Sequence, residues 1–398
     1  MILRYELIKI LCKKANRFLI VISIFLILVM SYFAFNDNIY VNSKGVEEKG
    51  VLSTRNLIKE KNEYKGYMTS DIFERVILNR KYNFKKYKDK VPNKVFAEDM
   101  QKNMDIEFFI NSVLGGYREY DYNSIIAMRS DDSKNIYKIK ERKIKKQIPE
   151  YANTPQKIEF LKKIYMKQKT PFYYEAYNSW DTMIRFATNI ILVLILLVTL
   201  PCSMIFSDEF GNGAESIYFS TKYGRSKGVI GKIMAGLIFS SGFYWISMIL
   251  FSAILMVALG ISGADVMYQV DNPYSMYNIT FSQEYMILLL SGYIGIILSA
   301  SMSMLIGAYS KSSALAVVFG FITFATTPFI ARVIPFKLFF MLTPDQLVNV
   351  LNTINAMSLI QIGNVVFRQI PFIMFIYCTF SIFIIIFTYK IYKRKSIV

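Results

Sequence analysis

The hydrophobic positions of this chain are gathered into long uncharged runs rather than spread in amphipathic stripes. Such runs occupy residues 18–35, 186–206 and 371–389. Apolar runs of about 18 residues or more read as membrane-spanning helices. Six spans are expected: 18–35, about 183–206, about 233–260, about 285–308, about 312–334 and about 371–389. The fold class is therefore an all-α polytopic membrane protein.

Basic residues in the short flanks set the orientation. Arg4, Lys9, Lys13, Lys14 and Arg17 face one acid, Glu6, ahead of the first span. Lys222, Arg225, Lys227 and Lys232 follow the second, Lys311 separates the fourth and fifth, and Lys390, Lys393, Arg394 and Lys395 follow the sixth. Six spans with both termini cytoplasmic put all four groups on one side. The insert at 37–182 holds 29 Lys+Arg against 21 Asp+Glu and is placed outside, since long domains translocate largely regardless of charge. A cleaved signal peptide is the alternative for the first run. Its length, and Tyr32, Phe33 and Phe35 where small residues are expected, favour an uncleaved anchor.

The division that follows is a cytoplasmic interfacial helix at 1–17, the first span at 18–35, an extracellular domain at 36–182 and the remaining spans at 183–398. Leu3, Leu7, Ile10 and Leu11 give the N-terminal helix its apolar face. In the insert, Thr154-Pro155 marks a helix start, 93–115 reads as helical, and 136–146 is compatible with helix or strand. A mostly helical domain is expected. Phe172, Tyr173, Tyr174, Tyr177 and Trp180 form either an interfacial aromatic belt or a substrate-facing lip. The external segment 335–370 is expected to form an amphipathic hairpin, with short helices from Pro344 onward that dip into the outer leaflet.

Composition removes several chemistries. The 398 residues contain no histidine, which excludes His-based metal sites, general bases and Ser-His-Asp triads. Cys12, Cys202 and Cys378 leave the insert without a disulfide framework. The net charge of +18 is assigned to contact with the lipid bilayer rather than nucleic acid. No buried carboxylate relay is evident in the spans, which argues against a proton-driven carrier. A route with little fixed charge suits an amphiphilic peptide, a lipid-like molecule or a hydrophobic drug. In the fourth span, Gly292, Gly295, Ser299, Ser303 and Gly307 form a row of small residues suited to tight helix packing.

The loop at 207–232 is the most informative stretch. Asn212 is a candidate N-cap, with Glu215 three residues on as its capping-box partner, and a short helix is expected over about 213–221, ended at Gly224. Ile217, Tyr218 and Phe219 would form an exposed apolar tip, a docking surface for another protein. No Gly-x-x-x-x-Gly-Lys-Ser/Thr occurs; Gly228 to Lys232 lacks the spacing and the hydroxyl, so the chain lacks that means of cradling ATP phosphates.

This loop resembles that of the permease subunits of type-2 ABC exporters. Glu209 looks like the leading acid, Gly213 the conserved glycine position, Glu215 to Thr221 the coupling helix, and Arg225 and Lys232 the trailing basic residues; Ala214 replaces a usual threonine. The six-span layout resembles the family too, and the large insert is found in only some of its branches. The resemblance implies a permease without catalytic residues, metal or cofactor of its own. A separate ABC ATPase, in two copies, would bind ATP and Mg and dock on the coupling helix. A second permease chain, identical or paralogous, would complete a plasma-membrane exporter. The alternative is a membrane sensor or transmitter coupled to an ATPase without transport. A membrane-embedded enzyme is disfavoured.

Overall fold

The computed structural model describes residues 2–88, 90–117, 119, 124–211, 213, 215–221, 223–334 and 336–394. An N-terminal helix, Ile2–Cys12, precedes six helices long and apolar enough to cross a membrane: Lys14–Phe35, Asn178–Gly211, Lys227–Leu259, Phe281–Ser310, Ser313–Val333 and Gln369–Arg394. Each overlaps the run expected from hydropathy, and all but Ser313–Val333, which falls within its run, extend it into polar flanks. Local signals fix some ends. Thr280 accepts a hydrogen bond from the Gln283 backbone while Gln283 returns one, a reciprocal cap opening the fourth span. The fifth span contains a wider π-type turn, Ile322–Thr326, just before Pro328. Proline has no N–H to give to the helix ladder, so the register loosens there.

The second and fourth spans form the axis of the bundle. In them 67% and 61% of the apolar stretch is buried in protein, against 17–33% in the other four. Their contact is the most extensive between any two elements. The row of small residues makes it possible. A side-chain carbon at Gly307 would fall on the Ser203 carbonyl oxygen, and one at Gly292 would lie 2.7 Å from both Ile191 and the Tyr244 hydroxyl. Gly295 faces Ile195, the Ser299 hydroxyl donates to the Ile195 carbonyl at 3.0 Å, and Ser303 is buried. The peripheral helices turn apolar faces outward, with Phe18, Phe25, Ile246, Val257, Phe375 and Phe383 exposed. Water would disfavour such a surface; lipid tails accept it.

The insert is mostly helical, as expected. Its larger helices are Val51–Lys61, Ser70–Tyr87, Met104–Gly115, Ile136–Tyr151 and Pro155–Tyr165. The segment 136–146 is thus helical, with Ile136, Lys140, Ile144 and Ile148 at four-residue spacing on its buried face. Thr154 caps the last helix by accepting from the Lys157 backbone. Phe73, Phe109, Tyr137 and Phe172 pack ring against ring in the core. Strands Gly66–Tyr67 and Tyr173–Tyr174 pair antiparallel. Of the aromatic cluster expected as a belt or lip, Phe172, Tyr174, Tyr177 and Trp180 are buried within the protein and Tyr173 is partly exposed. Tyr177 stacks on Phe281 at 4.4 Å, and the Trp180 indole donates to the Ile261 carbonyl.

The insert is joined firmly to the loops beside it. Arg55 donates to the carbonyls of Val257 and Ala258 at 2.8 and 2.7 Å, satisfying the open end of the third span. Tyr165 donates to the Tyr274 carbonyl, and Tyr274 to that of Val113. The segment after the fifth span contains the short helices expected from Pro344 onward, and its strand pair is an addition to them. It has short helical turns at Lys337–Phe340, Pro344–Leu347 and Val350–Ile354, then a hairpin of Leu359–Ile362 with Val365–Arg368.

Candidate functional site at the end of the bundle opposite the insert

Three segments far apart in sequence converge where the second span ends and the third begins. Lys232 is fully buried, an unusual place for an ammonium group. It is held there by two carboxylates: Glu209 at 2.5 Å, from the second span, and Glu6 at 3.2 Å, from the N-terminal helix. The other Glu209 oxygen accepts from the Tyr392 hydroxyl of the sixth span at 2.7 Å, and Lys9 approaches Glu209 at 3.5 Å. Lys13 pairs with Asp208 at 2.5 Å. Removing one member of a buried ion cluster leaves an uncompensated charge, so the group holds its helices in one arrangement.

An aromatic layer lies against this cluster. The Tyr392 ring meets Phe206 at 4.7 Å, Phe219 at 5.2 Å and Phe210 at 6.0 Å. Arg225 lies over Phe219 at 5.2 Å, and Lys311, from the turn between the fourth and fifth spans, over Phe210 at 5.0 Å. The N-terminal helix, the loop after the second span, this turn and the end of the sixth span therefore share one end of the bundle.

The loop's short helix runs Glu215–Ser220. Ile217 is 72% exposed, whereas Phe219 is 5% exposed and packed on its own chain. Two residues along a helix turn by about 200°, which sends the two side chains to opposite faces. The expected docking tip is thus divided, with Ile217 outward and Phe219 inward. Gly213 has a positive φ of 63°, a conformation that favours glycine, as the chain turns into the helix. Asn212, Ala214 and Lys222 lie outside the described residues, as do the side chains of Glu215 and Tyr218. Glu209 and Lys232, expected on the docking loop, are buried between helices instead of lying on a surface a partner could reach. Sequence reasoning missed Glu6 and Tyr392. Their signals were a lone acid on a basic helix and a tyrosine in a basic tail.

The insert end of the bundle holds further charge that hydropathy did not reveal. Arg185 pairs with Asp37 at 2.6 Å and Asp181 at 2.8 Å, while Lys61 pairs with Asp105 at 2.7 Å. Glu284, in the first turn of the fourth span, is fully buried, and neither carboxylate oxygen has a hydrogen-bond partner among the described residues. Glu284 stands one residue ahead of the fourth expected run and Asp181 two residues ahead of the second, so hydropathy did not count either among the residues of a span. Among the described residues, no group of three or more acids and cysteines is arranged to hold a metal ion.

The six apolar helices and their packing have the architecture of an all-α polytopic membrane protein. No family model, curated protein or solved structure matches the chain.

Proposed function

We propose that the chain is the transmembrane permease subunit of an ATP-driven exporter in the plasma membrane. In this reading the end bearing the Lys232 cluster faces the cytoplasm and the insert faces outside. The helix Glu215–Ser220 docks on a separate ABC ATPase, two copies of which serve two permease chains, identical or paralogous. ATP and Mg belong to that ATPase. The exported molecule is a peptide, lipid-like compound or hydrophobic drug, and the chain itself is not an enzyme.

One observation carries the reading: an apolar side chain, Ile217, stands exposed on a helix anchored through Phe219 to the ends of the second and sixth spans. A push on Ile217 reaches Tyr392, then Glu209 and Lys232, and so three spans together. Such a linkage suits rigid-body tilting driven from outside the chain.

The test is Ile217→Asp, with the tagged protein recovered from native membranes and the co-purifying ATPases identified by mass spectrometry. Loss of an ABC ATPase with membrane insertion intact is expected. Equal recovery from variant and wild type overturns the docking assignment. Cysteines at positions 100 and 222, in a chain stripped of its own three, are expected to label from opposite sides.

A second reading, a sensor that relays ligand binding to an ATPase without transport, is favoured by the bonds tying the insert to the third span and its loop. Ligand-dependent ATPase activity with no substrate movement in proteoliposomes distinguishes it.

A further inference from the structure

The positive charge of the insert is concentrated in one place. Residues 134–169 hold 12 Lys+Arg against 3 acids, while the remainder, 37–133 and 170–182, holds 17 against 18. The domain's whole excess, and half of the chain's +18, therefore falls on the consecutive helices Ile136–Tyr151 and Pro155–Tyr165 and their immediate flanks.

Folding turns that charge outward. The first helix buries Ile136, Lys140, Ile144 and Ile148, so the positions two residues on from each face the other way. These are Lys138, Arg142, Lys146 and, at the end, Glu150, all exposed. The three cations stand at four-residue spacing and form a row about 12 Å long. The second helix buries Leu161 and Ile164 and exposes Lys162, with Lys167 exposed just past its end. Two of the three acids of the segment are already paired, Glu141 with Lys145 at 2.6 Å and Glu159 with Lys163 at 2.7 Å. Among the described residues, Lys138, Arg142, Lys146, Lys162 and Lys167 make no ion pair. Three acids of the insert, Asp89, Asp121 and the side chain of Asp131, lie outside the described residues, and they are too few to balance the excess.

Like charges one helical turn apart repel, and a surface that meets only water ordinarily mixes both signs. A row of cations kept against that repulsion matches a partner of opposite sign. The rest of the face says which kind. A helix that lies on a bilayer carries aromatic or leucine side chains to enter the lipid. Here the large apolar residues at exposed positions are Tyr151, at the end of the first helix, and Met166, just beyond the second. The face is built for a hydrated anion and lacks the anchors for lipid.

We propose that this basic face binds a linear, water-soluble polyanion, a polymer with an anionic group in each repeat. Lys138, Arg142 and Lys146 take successive charges along the first helix, and Lys162 and Lys167 extend the field over the second. Lysine acts as a point charge, so the face reads the spacing of charge rather than the shape of each anionic group. The inference does not rest on the exporter reading, because the face belongs to the insert and binding is measured on this chain alone.

The experiment uses the full chain, purified in a non-ionic detergent, and fluorescence anisotropy with an end-labelled linear polyphosphate as the probe. Wild type is expected to bind it, with affinity falling steeply as salt is raised. Replacing Lys138, Arg142 and Lys146 together by Gln is expected to weaken binding at least ~10-fold and to flatten the salt dependence. Replacing Lys44, Lys59 and Lys90 together by Gln removes the same charge from exposed positions elsewhere on the insert. That control is expected to stay within about twofold of wild type, since screening confines each charge to its surroundings. The pair Lys162→Gln with Lys167→Gln is expected to weaken binding about threefold, and it decides the matter should the row variant fail to fold. Absence of binding by wild type overturns the proposal, as does unchanged affinity in the pair or an equal loss in the control. Displacement of the probe by inorganic monophosphate at equal phosphate concentration would show that no polymer is recognised, and also overturns it. Displacement by monomeric dihexanoyl phosphatidylglycerol at equal charge, with monophosphate inactive, would assign the face to lipid headgroups and overturn it as well.

Discussion

Lys232 and Glu209 approach to 2.5 Å at the point where the third span begins and the second ends, and both side chains are buried. The pair needs its neighbours. Glu6 supplies a second carboxylate to the ammonium, and Tyr392 a hydroxyl to the remaining oxygen of Glu209. Lys232→Met leaves Glu209 and Glu6 without their buried cation. Breaking such a group is expected to cost about 3–5 kcal/mol. Thermal unfolding in detergent checks this, and the double variant Lys232→Met with Glu209→Gln should lose less than the sum of the two single changes.

At the bundle axis, Gly307→Ala puts a carbon against the Ser203 backbone, which has no flexible end to move aside. Overpacking of this kind is expected to cost about 1–3 kcal/mol and to separate the second and fourth spans locally. Gly242→Ala is the matched control, since among the described residues nothing lies within 4 Å of its added carbon. It is expected to leave the melting temperature unchanged or raise it slightly.

The two apolar residues of the short loop helix should behave in opposite ways. Phe219→Ala removes a buried ring from Phe210 and Tyr392 and is expected to destabilise by about 3 kcal/mol. Ile217→Ala changes an exposed position and should stay within about 0.5 kcal/mol of wild type. Melting curves separate the two. Only the second variant then reports on partner capture without a folding defect.

In the insert, Lys140 is buried, its ammonium donating to Gln168 at 2.6 Å and lying 4.7 Å from the Phe172 ring. Burial lowers its pKa to about 7. Between pH 7 and the ordinary lysine range the unfolded chain binds more protons than the folded one, so wild-type stability rises with pH across that window. Lys140→Met abolishes the dependence. The melting-temperature advantage of the variant is expected to be largest at pH 7 and below and to shrink toward pH 10, as a calorimetric pH series would show.

Hydropathy made the six spans legible because lipid selects on length and apolarity, both of which are local in sequence. The small-residue row of the fourth span was legible for a related reason, since close approach of two helices needs small side chains at regular spacing. What failed was local structure overruled by a second signal. Gly363-Asn364 between Leu359–Ile362 and Val365–Arg368 is a tight-turn dipeptide flanked by β-branched residues, and it marks a strand pair in a segment where only short helices were read. The burial of Phe219 follows from helical geometry once the helix is known to be short and packed on one side. The charge at the insert end was hidden more deeply. Asp105, Asp181, Asp271 and Glu284 are spread over three elements and a loop, and no periodicity joins them.

The third span is gripped at one end by Glu6, through Lys232, and at the other by Arg55, through the carbonyls of Val257 and Ala258. Both clasps come from the first 55 residues, which leave the ribosome long before the helix they hold. The early part of the chain thus acts as a jig of fixed length, and a third span made one turn longer or shorter would miss one of its two fastenings.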